Sequence, residues 1–195
     1  MTGIIILAAG NSSRLGQPKQ LLLYKDATLL QHIIREASII KEAVVIVVTG
    51  ANHELIEKEI NSSKIKTAFN QDWELGMSSS INIGLNKALQ LFPKIEKCIL
   101  AVCDQPFISH SIFKNLIDEY HKTGKRIVAS SYAETLGTPV LFDKKYFNEL
   151  LNLKGQEGAK KIINQFFEDT ASIPFQKGDI DVDTEEDYNK LISEL

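Results

Sequence analysis

The sequence predicts an α/β protein: a single doubly wound domain with a mostly parallel sheet. Three observations lead there. Short apolar runs alternate along the chain with segments whose apolar residues recur at helical spacing, and the links between them are short. The apolar runs are continuous, as expected of strands covered on both faces, so the sheet should be parallel with right-handed crossovers. The length, 195 residues, suits one domain with a sizeable core.

Strand one is Gly3 to Ala8, followed by a small-residue loop. Pro18 suits a first helical turn, and Leu21 to Leu23 are expected to pack down. Thr28 can cap a helix to about Ser38, with Leu29, Leu30, Ile33, Ile34 and Ala37 on its apolar face. Ala43 to Thr49 is a valine-rich strand ended by Gly50, and Asn52 caps a short polar helix to about Ile60. Ile65 to Phe69 is a third strand. A serine-rich turn opens a helix from about Ser78 to Leu91. Cys98 to Val102 is a strand ending in Asp104-Gln105-Pro106, and Ser109 caps a helix to about His121. Arg126 to Ser130 and Leu136 to Phe142 are extended, Asp143 starts a short helix to about Leu151, and Gly155 to Phe167 forms another. Ala171 to Phe175 and Asp179 to Val182 read as strands, with Thr184 capping a terminal helix. The chain, 1–195, reads as a single domain, regular in its alternation over about 1–130 and departing from it over about 132–178.

Composition narrows the partners. Apolar residues make up 44% and charged residues 24%, ordinary for a soluble domain. A net charge of −3 argues against a broad nucleic-acid or anionic-membrane surface. No apolar run approaches the roughly 18 residues of a membrane span, and nothing resembles a signal peptide, so a cytoplasmic location is expected. Cys98 and Cys103 match no zinc spacing, and five residues along one strand places them on opposite faces, as reduced core thiols. The four histidines are scattered without ligand spacing and read as structural or solvated.

Chemistry concentrates in three places. The first is the loop after strand one, Leu7-Ala8-Ala9-Gly10-Asn11-Ser12-Ser13-Arg14-Leu15-Gly16-Gln17-Pro18-Lys19. Its glycines let backbone N–H groups approach a polyphosphate, and Arg14 and Lys19 offset anionic charge. It has neither the G-x-G-x-x-G of dinucleotide sites nor the G-x-x-x-x-G-K-[ST] of P-loops. The second is Asp104, at the carboxyl end of a buried strand, where ligand crevices of α/β sheets lie; a hard divalent cation favours one or two such carboxylates plus phosphate oxygens. The third is Asp179-Ile180-Asp181-Val182-Asp183. As a strand it would point Asp181 and Asp183 to one face, where two like charges repel unless a cation lies between them. Glu186 and Asp187 fall in the first turn of the terminal helix and read as structural.

The loop, through Leu7, Ala8, Ala9, Gly10, Ser12, Arg14, Gly16 and Lys19, resembles the L-A-(A/G)-G-x-S-x-R-x-G-x-x-K signature of the MobA-like nucleotidyltransferases, in particular the molybdenum cofactor cytidylyltransferase and purine-catabolism branch. Leu75-Gly76-Met77-Ser78-Ser79-Ser80 resembles its G-M-S-x-S segment, Asp104-Gln105-Pro106 its D-x-P, and Asp181 to Tyr188 its D-(I/V)-D-T-P-E-D-(L/Y) ending, with Glu185 in place of Pro. Gly137-Thr138-Pro139-Val140 looks like G-H-P-V, with Thr138 where His is common. Gly155 to Lys160 looks like G-D-x-G-A-R, with Gln156 and Lys160 replacing Asp and Arg; Lys160 keeps the charge but not the bidentate fork.

The resemblance implies a Rossmann-like fold of the nucleotide-diphospho-sugar transferase type, with a nucleotide-binding part over about 1–130, an acceptor-side part over about 132–178, and a metal-binding strand with a terminal helix over 179–195. It implies a triphosphate held by Leu7, Ala8, Ala9, Gly10, Ser12 and Ser13, with Arg14 and Lys19 acting with Asp104 as the catalytic set. Gly76, Ser79 and Ser80 would lie against the nucleoside. Asp104 and Asp183 would hold Mg2+, or Mn2+ in its place, with Asp181 the weaker candidate, and Thr138, Pro139 and Lys160 would meet the acceptor. The Ala9 position looks like the cytidine-using branch. The implied reaction moves CMP from CTP to the phosphate of molybdopterin or molybdenum cofactor, with release of pyrophosphate. The implied partners are CTP, a pterin-phosphate acceptor and a molybdoenzyme such as one of xanthine dehydrogenase type. The alternatives are a guanylyltransferase or sugar-phosphate nucleotidyltransferase of the same fold, or a non-catalytic accessory that delivers cofactor to a molybdoenzyme.

Overall fold

A computed structural model describes residues 1–60 and 62–193. In chain order the elements are β1 (Thr2–Ala8), β2 (Leu23–Tyr24), β3 (Ala27–Thr28), α1 (Leu29–Ser38), β4 (Ala43–Thr49), α2 (His53–Lys58), β5 (Lys66–Phe69), α3 (Met77–Leu91), β6 (Lys97–Val102), α4 (His110–Thr123), β7 (Ile127–Tyr132), β8 (Thr135–Asp143), α5 (Phe147–Leu151), α6 (Ala159–Gln165), β9 (Thr170–Pro174) and α7 (Glu185–Ser193). Seven strands form one sheet in the order β5-β4-β1-β6-β8-β7-β9; β2 and β3 pair separately. Every pairing in the large sheet is parallel except those of β8, which runs antiparallel to both β6 and β7.

Alternation along β1 explains the two-faced core. Ile5 and Ala9 face a cluster with Ile81 and Leu85 of α3, Leu150 of α5 and Ile162 of α6. Ile4, Ile6 and Ala8 face the opposite cluster, with Leu30 and Ile33 of α1 and Phe113 and Leu116 of α4. A third, smaller cluster joins Leu22, Tyr24 and Leu29 to Val182 and Leu191, and so pins the C-terminal segment beside the first loop. Thr28 caps α1 with a reciprocal capping box to Gln31. Cys98 and Cys103 lie in opposite clusters, buried and unbridged, as their spacing predicts. Among the described residues, no helix is long and apolar enough to cross a membrane.

Several expectations need correction. Asn52 and Ser109 precede α2 and α4, but neither side chain bonds a backbone N–H of its helix. Asp179 to Val182 is not a strand: one backbone bond, from Val182 N–H to the Asp104 carbonyl (2.9 Å), takes the place of a ladder. The helix expected from Gly155 begins only at Ala159, because Gly155 sits at φ 57° and Gly158 is extended. Of the stretch Leu21 to Leu23, Leu22 is buried while Leu23 is exposed; the neighbouring polar Gln20 is buried instead.

Candidate active site

β1 and β6 are adjacent and parallel, and from their carboxyl ends the chain leaves toward opposite edges of the sheet, β1 to β4 and β6 to β7, the place where α/β folds open a crevice. Two adjoining cavities occupy it. The larger, about 340 Å³, is lined by Leu7 to Asn11, the side wall Trp73, Gly76 and Ser80, the floor Val102 to Asp104, and Gln156. The smaller, about 160 Å³, is lined by Gly10 to Arg14, Lys19 and Asp183. Gly10, Asn11 and Lys19 belong to both.

The loop is shaped by its own side chains. Gln20, 1% exposed, donates from Nε2 to the carbonyls of Ala8 and Gly10, each at 3.0 Å, and so holds the carboxyl end of β1 open toward the cavity. Ser12 Oγ accepts the Lys19 N–H at 3.0 Å, and Asn11 Oδ1 accepts the Ser13 N–H at 3.2 Å. Ala9 is fixed by a bond from the Ala51 N–H to its carbonyl (3.0 Å); a Cβ on Gly50 would stand 2.5 Å from that oxygen, so residue 50 must be glycine for β1 and β4 to end together.

Lys19 is the hub. Its ammonium donates to Asp104 Oδ2 at 2.5 Å and to Asp183 Oδ1 at 2.9 Å, and Arg14 Nη2 reaches Asp183 Oδ2 at 2.9 Å. Burial draws the Lys19 pKa down, but the Asp104 charge and the bonds to both aspartates outweigh it and hold the pKa above the ordinary lysine value. The Lys19 bond holds the Asp183 carboxyl below its usual range, against partial burial and with help from Arg14. Asp183 is placed by the cap of α7. Asp187 Oδ2 accepts from Thr184 N–H (2.8 Å), Thr184 Oγ1 (2.7 Å) and Asp183 N–H (3.2 Å), which is the structural role its position predicts.

Asp181 does not join the pair on Lys19. Its side chain is open to solvent on one side, yet partial burial and the charges of Asp104 and Asp183 push its carboxyl up from an ordinary 3.8 to about 6. A raised carboxyl pKa means the folded state prefers the protonated form, so a destabilising charge sets in as pH rises from about 4 through about 6. With divalent ions chelated, Asp181→Asn should raise the melting temperature at pH 8 and change it little at pH 4.5. An equal gain at both values would contradict this electrostatic cause.

The wall of the larger cavity joins two distant segments. Gly76 (φ 106°) precedes α3, and Ser78 donates to the Gly155 carbonyl from both N–H (3.2 Å) and Oγ (2.8 Å). Ser79 Oγ donates to the carbonyls of Asp72 and Gly76, and Asn70 Nδ2 donates to the hydroxyls of Ser79 and Ser80. Of the serines, only Ser80 lines the cavity. Thr138, Pro139 and Lys160 line neither cavity. Thr138 Oγ1 donates to Gln105 Oε1 (3.3 Å), Pro139 is buried with its carbonyl accepting from Ser130 Oγ, and Lys160 is exposed at the start of α6. Gln20, Gln105, Trp73 and Gln156 carry no functional signal in the sequence. Gln105, 3% exposed, donates to the Gly178 carbonyl at 2.6 Å and ties the turn before the Asp179–Asp183 segment to Asp104.

Asp104 and Asp183 are hard oxygen donors from distant parts of the chain whose carboxylates already converge on one cation, which is the arrangement a divalent ion needs. Among the described residues, no group of three or more His, Cys, Asp or Glu side chains could hold a metal ion. Two carboxylates suit Mg2+ or Mn2+ when phosphate oxygens and water complete the shell.

The MobA-like NTP transferase domain matches residues 4–171. The molybdenum cofactor cytidylyltransferase of Escherichia coli strain K12 is 25% identical over 186 residues, 94% of this chain and 92% of that protein. Among solved structures, the Mycobacterium tuberculosis Rv0371c homologue from Mycobacterium sp. strain JC1 superposes with a TM-score of 0.85 at 30% identity, covering 99% of this chain and 96% of that one. The manganese complex of Rv0371c from Mycobacterium tuberculosis H37Rv gives a TM-score of 0.81 at 24% identity, covering 100% and 98%; that likeness is one of fold.

Proposed function

The chain belongs to the MobA-like NTP transferase family and is a nucleotidyltransferase, and we propose that it transfers CMP from CTP to the phosphate of molybdopterin or its metallated form, with release of pyrophosphate. The observation that carries this reading is the junction of two cavities at Lys19, Asp104 and Asp183. The larger cavity is of a size to take a nucleoside, with Trp73 and Ala9 on its walls. The smaller one offers Gly10 to Ser13, Arg14 and Lys19 to phosphates. The name of the Escherichia coli relative supports cytidine and the molybdenum-cofactor acceptor, and the manganese complex supports a divalent ion.

The acceptor phosphate is already anionic at neutral pH, so no serine, cysteine or histidine nucleophile is needed. Asp104 and Asp183 would hold the Mg2+ or Mn2+, which neutralises charge on the phosphates. Arg14 and Lys19 grip the departing pyrophosphate, and the Ala8–Gly10 backbone, held by Gln20, aligns the α-phosphate. Thr138, Pro139 and Lys160 are proposed to meet the acceptor from the 132–178 part, and a molybdoenzyme to receive the product.

The test is pyrophosphate release with CTP, GTP and ATP, each with Mg2+ and with or without molybdopterin. CTP with molybdopterin should give the highest turnover. Faster turnover with GTP would overturn the cytidine assignment, and equal turnover without the pterin would overturn the acceptor.

A further inference from the structure

The same two carboxylates that fit a divalent ion are bridged by the chain's own cation. Lys19 Nζ stands 2.5 Å from Asp104 Oδ2 and 2.9 Å from Asp183 Oδ1, with the three side chains only 16%, 20% and 36% exposed. A hard cation draws carboxylate oxygens to about 2.1 Å, so an ion on these oxygens would lie against the ammonium. Two cations do not share one pair of oxygens without strong repulsion. Lys19 has another place to go. Its backbone is anchored by Ser12, but its four-carbon stem is flexible and its side chain borders the smaller, loop-lined cavity as well.

Resting on the reading above, we propose that Lys19 keeps Asp104 and Asp183 preassembled as a resident ammonium and surrenders them to the divalent ion when a triphosphate binds, exchanging carboxylate oxygens for phosphate oxygens. Three consequences follow from this exchange. The ion alone binds weakly, because it must displace Lys19 without offering it a new partner. Triphosphate and ion then bind with positive coupling that runs through Lys19. Removing the ammonium leaves two facing carboxylates that repel each other until an ion arrives.

The test is Mn2+ titration of the whole chain without nucleotide, followed by electron paramagnetic resonance of free Mn2+ and, in parallel, by thermal melting. Lys19→Met should bind Mn2+ about tenfold more tightly than the wild type. It should also melt lower in chelator and gain more on adding Mn2+. Lys19→Gln should follow Lys19→Met, so a folding failure of one variant leaves the other to decide. Lys19→Arg should stay close to the wild type. Arg14→Gln removes an equal charge from Asp183 alone and should tighten binding far less. Binding to Lys19→Met or Lys19→Gln no tighter than to the wild type, while Asp104→Asn still abolishes it, overturns the exchange but leaves the metal site standing. Binding that survives both Asp104→Asn and Asp183→Asn overturns the metal assignment itself, and the exchange with it.

Discussion

Asp104→Asn is expected to lower Mg2+-dependent pyrophosphate release by about 10³-fold or more while the protein stays folded. The substitution preserves volume and leaves the backbone carbonyl of Asp104, which accepts the Val182 N–H at 2.9 Å, untouched. The C-terminal segment therefore keeps its place, and Val182 and Leu191 keep their cluster with Leu22, Tyr24 and Leu29. What is lost is one of two carboxylates on a cation, at a site where no third protein ligand stands in among the described residues. The loss should fall on kcat, because on the proposed reading Asp104 holds the divalent ion that would neutralise the phosphates as the bond to pyrophosphate breaks. Thermal melting and circular dichroism report the fold independently. A folded Asp104→Asn protein with substantial Mg2+-dependent turnover would sink the assignment. A variant with a raised KM and normal kcat would move Asp104 from the reaction to simple binding.

Much of this site was legible in the residues because its parts are local. Leu7 to Lys19 is a continuous stretch, and the expected phosphate loop is where the two cavities meet. Asp104 could be singled out because it ends a continuous apolar strand, where the ligand crevices of α/β sheets lie, although aspartate also ends strands simply as a turn residue. What escaped depends on pairing between distant segments. An apolar run such as Leu136 to Phe142 does not state its direction, so β8 could not be known to run antiparallel between β6 and β7. The hairpin before it turns on Ala133 and Glu134, at φ 44° and 58°, and neither is a residue that signals such a turn. Asp179 to Val182 has the alternation of a strand but finds no ladder partner, since the Gln105 tie and the Val182 bond dock it against the end of β6 instead. Buried amides such as Gln20 and Gln105 look like surface residues in a sequence, and only the carbonyls they meet show otherwise.

Gly76→Ala is the second large effect, and it tests how the wall of the larger cavity is joined to the 132–178 part. Gly76 stands at φ 106°, where an L side chain is strained, and an added Cβ would lie 2.4 Å from the Gly155 carbonyl oxygen and 2.6 Å from its carbon. Those atoms are backbone and cannot rotate aside. The 154–158 loop would have to withdraw, breaking both bonds from Ser78 to Gly155 and carrying Gln156 off the cavity wall. Strain and the two lost bonds together predict a destabilisation of about 2–4 kcal/mol, a drop in melting temperature of roughly 5–15 °C for a domain of this size. Gly16 and Gly155 give the control: both have positive φ, 69° and 57°, but a Cβ at either meets nothing within 4 Å. Gly155→Ala and Gly16→Ala should therefore cost only backbone strain, about 1 kcal/mol each. At temperatures where all three remain folded, Gly76→Ala should also show the greatest rise in KM for the nucleotide, since it alone moves the cavity wall. If Gly76→Ala melts with the two controls, the close approach of the two segments is not what holds the cavity closed on that side, and the Ser78 bonds to Gly155 can be surrendered without consequence.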